Sequence, residues 1–199
     1  MTVLKAAQSK YNFQVHYPGA GVGGPCLPVN SYQLLNSAKK LGSSLKIVES
    51  GRKINESMPQ HVIDLTIDAL KEKNLNLQDS TILLLGISYK PNVKDIQLSP
   101  ANDIVEKLKN LNAKIKIFDP YYKSETIYGF VCENNYEEIL SSVDVLILVT
   151  GHNEFKKIDP NLLSSKMKTP IVIDTRGVLN LDQVNKSNLI FRGLGRGFT

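Results

Sequence analysis

Between residues 17 and 30 the chain reads YPGAGVGGPCLPVN. Gly19, Gly21, Gly23 and Gly24 crowd in front of Cys26. Glycine density of this kind marks backbone that must turn sharply or come close to something. Residues 29–41 carry Leu34, Leu35, Ala38 and Leu41 at helical spacing, with Gly42 as the stop. Cys26 therefore stands just before a helix whose first turn is Pro28, Val29 and Asn30. Free N–H groups and the positive end of the helix dipole favour a thiolate there, so nucleophilic chemistry is one expectation. A buried, inert cysteine is the other. Cys132, in the strand-like stretch FVC, carries only the inert expectation.

A second group of candidates follows apolar runs. Lys90 and Asp95 come after one run, Asp119 after another, and Asp174 and Arg176 after a third. In an open α/β sheet, ligands sit beyond the carboxyl ends of the strands, so Lys90 and Arg176 can together face a pyrophosphate. The first run ends in Gly86 alone, without G-x-G-x-x-G, so the usual dinucleotide fingerprint is missing. GLGRG (193–197) has glycine spacing but no helix after it, and is not expected to hold phosphate. Ser99 and Pro100 read as an N-cap followed by a proline at the first helical position. His16, His61 and His152 have no metal-ligand spacing with one another or with Cys26, and no metal site is expected.

The elements that must position these groups fall into two parts. In residues 79–199 the runs 81–87, 114–118, 143–149, 171–174 and 188–191 alternate with helical patterns near 100–111, 134–141 and 153–166. The runs are apolar on both faces, which predicts a parallel sheet covered by helices: a doubly wound, Rossmann-like α/β unit. Residues 1–78 read as helical, with the end of a helix at 1–10 and a long amphipathic helix at 45–73, kinked near Pro59. Its stripe of Ile47, Ile54, Met58, Val62, Leu65, Ile67 and Leu70 needs a partner, either its own domain or an oligomer seam.

Composition bounds the function classes. The 199 residues are 42% apolar and 22% charged, which fits a soluble globular chain of one or two domains. The net charge of +5 comes from scattered residues, 24 basic against 19 acidic, and suits an anionic small molecule at least as well as nucleic acid. Two cysteines and no apolar leader argue against a disulfide framework and for a reducing cytoplasm. No apolar run reaches the ~18–20 residues of a membrane span.

Five stretches in order, GAGVGGPCLPVNSYQLL, GRKINESMP, LLLGISYKPNVKDIQLSPAND, IKIFDPYY and VIDTRGVL, carry a resemblance. The chain resembles the carboxyl half of the UDP-glucose/GDP-mannose dehydrogenase family, and within it the UDP-N-acetyl-hexosamine 6-dehydrogenases. The resemblance implies the helical part of a dimerisation domain followed by a UDP-binding Rossmann-like domain. It also implies a cytoplasmic homodimer serving polysaccharide biosynthesis, with no nucleic-acid or membrane partner. The implied substrate is a UDP-sugar of the UDP-N-acetylmannosamine or UDP-N-acetylglucosamine type.

Within the resemblance, Cys26 is the nucleophile that carries a sugar alcohol through thiohemiacetal and thioester to a carboxylate. Gly19, Gly21, Gly23 and Gly24 form a backbone cradle for phosphates and sugar, flanked by Tyr17 and Leu27. Tyr89 and Lys90 meet the nucleotide, and Arg176 lies at the nucleotide or cofactor edge. Two positions depart from the family pattern. Asn30 stands where an aspartate is usual, and an amide cannot accept a proton as a carboxylate does. Gln97 stands where an arginine is directed at the NAD pyrophosphate, so charge assistance is lost. The implied cofactor is NAD, held in the family by an amino-terminal domain that this chain does not contain. The chain alone is therefore expected neither to bind NAD nor to turn over. A non-catalytic nucleotide-sugar module, half of a split dehydrogenase, and a redox-sensing thiol at Cys26 are the alternatives.

Overall fold

The short runs of leucine and β-branched residues form the middle of the molecule. In the computed structural model, which describes residues 2–198, the strands follow as β1 (Thr81–Leu85), β2 (Lys114–Phe118), the short pair β3 (Thr126–Ile127) and β4 (Phe130–Val131), then β5 (Val145–Leu148), β6 (Ile171–Asp174), β7 (Ile190–Gly193) and β8 (Gly197–Phe198). One sheet has the order β2-β1-β5-β6-β7-β8, parallel throughout except for β8, which turns back antiparallel on β7. This is the Rossmann-like architecture the sequence implies.

Alternation along each strand sorts the core into two layers. Ile82 and Leu84 of β1, Val145 and Ile147 of β5, and Ile171 and Ile173 of β6 face one layer. Leu83, Leu85, Leu146, Leu148 and Val172 face the other. The helices are α1 (Thr2–Gln8), α2 (Leu27–Lys40), α3 (Lys46–Lys71), α4 (Pro100–Asn110), α5 (Pro160–Lys166) and α6 (Leu181–Val184). The first layer is closed by α3 and α4, through residues such as Val62, Ile63, Ile104 and Leu108. The second is closed by α5, α6 and two 3-10 helices, through Leu140, Phe155, Leu163 and Val184.

The long amphipathic helix divides its stripe. Its second half, from Val62 to Leu70, is buried against the sheet, whereas Ile47 and Ile54 in the first half are 90% and 64% exposed. Arg192 of β7 ties this second half to the sheet, because its guanidinium bonds Asp68 at 3.0 and 3.1 Å and also meets Glu72. The helix continues through Pro59, which removes one N–H and so leaves the Asn55 carbonyl without its helical partner.

Two expected helices differ. The stretch near 134–141 is a 3-10 helix, Glu137–Ser142, too short to extend before β5 begins. The stretch 153–166 is broken into a 3-10 helix (Asn153–Lys157) and α5. Pro160 forces this break: the residue before a proline avoids helical backbone, and Asp159 instead caps α5 by accepting from the Asn161 N–H at 2.9 Å. The β3–β4 hairpin escapes sequence reading because its turn uses Tyr128, at φ 54°, before Gly129, in place of the usual Asn-Gly.

The division of α3 is testable by urea unfolding. Ile63→Ala, at a fully buried position, is expected to cost about 2–5 kcal/mol. Ile47→Ala is expected to change the monomer's unfolding by less than about 0.5 kcal/mol.

Candidate functional site

The chain runs from β1 outward to β2 and then returns to β5 on the other flank of β1. The loops after β1 and β5 therefore diverge, and a crevice opens at the carboxyl ends of these strands. Asp119, directly after β2, governs what the crevice can be. It is fully buried. Its Oδ2 accepts from the Ile87 N–H at 2.9 Å, the Ser88 N–H and hydroxyl at 3.2 Å, and His152 Nε2 at 3.0 Å, while its Oδ1 accepts from the Tyr121 N–H at 3.0 Å. Burial alone would raise this carboxyl; the bonds from His152, Ile87 and Tyr121 outweigh it and hold the group below its ordinary value.

A dinucleotide fold uses an acid in this region to bind a ribose; here Asp119 is fully buried and turned to the loops of its own sheet edge. A side chain at Gly86 would come within 2.6 Å of Thr150 Cβ, so the loops after β1 and β5 lie close where they leave the sheet, before they part.

The glycine-rich segment crosses this edge of the sheet. A methyl group at Gly19 would overlap the Arg176 guanidinium, Gly21 lies against the Pro100 ring, and Gly23 lies against the Leu98 carbonyl. Gly24 has φ 88°, and a Cβ there would come within 2.7 Å of the Tyr89 ring, so only glycine serves. Its N–H donates to the Gln97 carbonyl at 2.9 Å. From the other side, Asn55 Oδ1 accepts the Val22 N–H at 2.8 Å, one helical turn before Pro59. The close approach read from the glycines is thus made, in large part, to the protein's own α/β domain.

Under the segment lies a cavity of about 620 Å³, lined by His16, Tyr17, Gly151, Lys156, Arg176 and Val178 among others, with no carboxylate in its wall. Asp174 shapes one side: it accepts from the N–H groups of Arg176, Gly177 and Leu179 at 2.7–3.0 Å. Burial lowers the Arg176 guanidinium from its usual value, against the attraction of Asp174. It keeps its charge at neutral pH. Among the described residues it has no ion-pair partner, the setting of a cation that waits for an anion. A second cavity of about 570 Å³, between α2, α3 and α4, contains Glu56 and Asp103 against Arg52 and would repel a diphosphate.

The candidates are therefore distributed. Tyr17, Gly19 and Arg176 meet at the cavity, while Gly23, Gly24, Tyr89 and Gln97 meet at the docking seam. Lys90 is exposed and outside the cavity lining. Cys26 is exposed at the N-cap of α2, its side chain making no capping bond, and Leu27 beside it is 71% exposed. Asn30, one turn on, donates its N–H to the Cys26 carbonyl at 2.8 Å, which puts both side chains on one helix face. Lys156 and Asn55 were missed. Lys156 carries no sequence signal, but Asn55 precedes Pro59 by one turn, a spacing that marks an opened helix backbone. Among the described residues no cluster of three metal-ligating side chains occurs, and no helix is long and apolar enough to cross a membrane.

A parallel, doubly wound sheet with a cation-lined cavity beyond its carboxyl edge defines the Rossmann-like class of protein. Residues 1–57 match the family model for the central domain of the UDP-glucose/GDP-mannose dehydrogenase family, and residues 83–181 match that for its UDP binding domain. The chain belongs to this family. It is 31% identical over 194 residues to a UDP-N-acetyl-D-mannosamine dehydrogenase from Pyrococcus horikoshii, which covers 98% of this chain and 43% of that protein. A UDP-N-acetyl-D-glucosamine 6-dehydrogenase from Salmonella typhi is 34% identical over 159 residues, 78% of this chain and 37% of that protein. The solved structure of a UDP-D-ManNAc dehydrogenase from Pyrococcus horikoshii superposes with a TM-score of 0.86 at 31% identity, over 98% of this chain and 44% of that one. The chain spans less than half the length of these relatives.

Two outcomes check this geometry. Iodoacetamide under native conditions is expected to label Cys26 alone: Cys132 is buried, and burial pushes its thiol up to about 11. Mass spectrometry of the wild type and of Cys26→Ser reads this directly. Asp119→Asn is expected to cost about 1–3 kcal/mol at pH 7, because an amide cannot accept from every donor now served. Since the folded carboxyl lies below its ordinary 3.8, the wild-type advantage is present above that value and fades as pH falls through the folded one. Unfolding curves at pH 7 and pH 3 measure the difference.

Proposed function

We propose that this chain is the nucleotide-sugar-holding part of a UDP-sugar 6-dehydrogenase. In this reading residues 1–78 are the helical part of the dimerisation domain and residues 79–199 the UDP-binding domain. The observation that carries it is the unpaired Arg176 guanidinium, lying across Gly19 in a cavity free of carboxylates. A diphosphate supplies the missing charge, and the exposed face of Tyr17 offers apolar surface to a nucleobase. Similarity to a UDP-N-acetyl-D-mannosamine dehydrogenase and a UDP-N-acetyl-D-glucosamine 6-dehydrogenase favours UDP-N-acetylmannosamine or UDP-N-acetylglucosamine as the substrate.

Cys26 is then the covalent nucleophile, adding its sulfur to the carbon of a sugar aldehyde and later releasing the acid by hydrolysis of a thioester. One two-electron oxidation, alcohol to aldehyde, precedes the addition, and a second, thiohemiacetal to thioester, follows it; each passes a hydride to an acceptor, which in this reading the rest of the dehydrogenase supplies. Alone, the chain binds without turning over. Exposed Leu34 of α2, Leu41 just after it, and Ile47 and Ile54 of α3 support a homodimer seam. A non-catalytic nucleotide-sugar module is the second reading, favoured by Asn30, which offers no base beside Cys26.

Calorimetric titration with UDP is expected to give a Kd on the order of micromolar to millimolar. Arg176→Ala is expected to weaken binding about tenfold or more. No NADH is expected from UDP-N-acetylmannosamine with NAD. Absence of both heat and thermal shift with UDP would remove the nucleotide assignment. Steady turnover by the pure chain would remove the claim that it only binds.

A further inference from the structure

Lys156 lines the same cavity as Arg176, and its ammonium is bonded to an amide and not to a carboxylate. Its Nζ donates to Asn153 Oδ1 at 2.9 Å, and among the described residues it has no carboxylate partner. An amide oxygen orients an ammonium without neutralising it. Asn153 is itself fixed, because its N–H donates to Asn92 Oδ1 at 2.9 Å. The Asn92 N–H in turn donates to His152 Nδ1 at 2.9 Å. That bond makes Nδ1 an acceptor, so the ring proton sits on Nε2 and is donated to Asp119 at 3.0 Å. His152 and Asp119 are both fully buried.

The chain of bonds therefore starts at the end of β2, crosses the loops after β1 and β5, and finishes on a cation facing the cavity. Nothing in sheet packing requires a lysine at its end.

Resting on the nucleotide reading above, we propose that Lys156 is a second cation of the diphosphate site, sharing the anion with Arg176, and that His152 is the positioning residue that fixes it through Asn92 and Asn153. Two cations on loops from β5 and β6 flank the cavity, and among the described residues neither is in a salt bridge. Lys156 thus occupies the lining where Lys90 is absent. A diphosphate binds both, whereas a nucleoside without phosphate gains nothing from either.

NMR titration of the full chain with UDP and with uridine tests this. Lys156→Ala, a change at an exposed residue, is expected to weaken UDP about tenfold or more while leaving uridine unchanged. His152→Phe is expected to weaken UDP similarly. His152→Gln, whose amide can accept from Asn92 and donate to Asp119, is expected to retain near wild-type affinity. If Lys156→Ala binds UDP like the wild type while Arg176→Ala does not, the inference falls and the nucleotide reading stands. If Lys156→Ala weakens UDP and His152→Phe, folded by its NMR spectrum, does not, the positioning role falls. No binding of UDP by the wild type removes both the inference and the reading beneath it.

Discussion

A single buried carboxylate holds the functional edge of this protein together. Moving an ionised carboxyl out of water costs several kcal/mol unless donors replace the lost solvent. Asp119 is given donors from three loops at once: those after β1, after β2 and after β5. Because those loops are the ones that diverge at the crevice, satisfying one anion fixes the shape of the whole edge. Asp174 does the same on a smaller scale after β6, gathering the three N–H groups around Arg176. The strand-end acids thus face inward as anchors, and the cations they position face the cavity.

The helical segment is joined to this edge by backbone as much as by side chains. Pro59 opens the α3 ladder at Asn55, the Asn55 amide takes the Val22 N–H, and the following glycines lie on Leu98, Pro100 and Tyr89. Arg192 adds a second tie at the far end of α3 through Asp68 and Glu72. Held at Asn55 and again at its carboxyl end, α3 is joined to the domain over its second half, while its first turns carry α2 beside them.

The sheet was legible because Ile82–Leu85 and its counterparts are apolar on both faces, a pattern that only a covered parallel sheet satisfies. Ser99 and Pro100 were legible because capping is local: Ser99 Oγ does accept the Ala101 N–H, at 3.3 Å. Cys26 at a helix start could be read from the helical spacing after it. The glycines were readable as points of close approach, but what they approach could not be read, since Tyr89 and Leu98 lie far away in sequence. Lys156 was invisible because its nearest bond, to Asn153, is local, but the cavity it lines is closed by Tyr17 and Arg176, far away in sequence. The two 3-10 segments were over-read as helix because periodicity reports which residues are buried, not how tightly the backbone winds.

Gly19 beneath Arg176 has a consequence for how a ligand would be received. The glycine segment and the loop after β6 belong to one chain and already lie in contact, so one wall of the cavity is in place before a guest arrives. The ordering entropy of that wall is spent when the chain folds rather than at encounter, which leaves more of the contact energy for affinity.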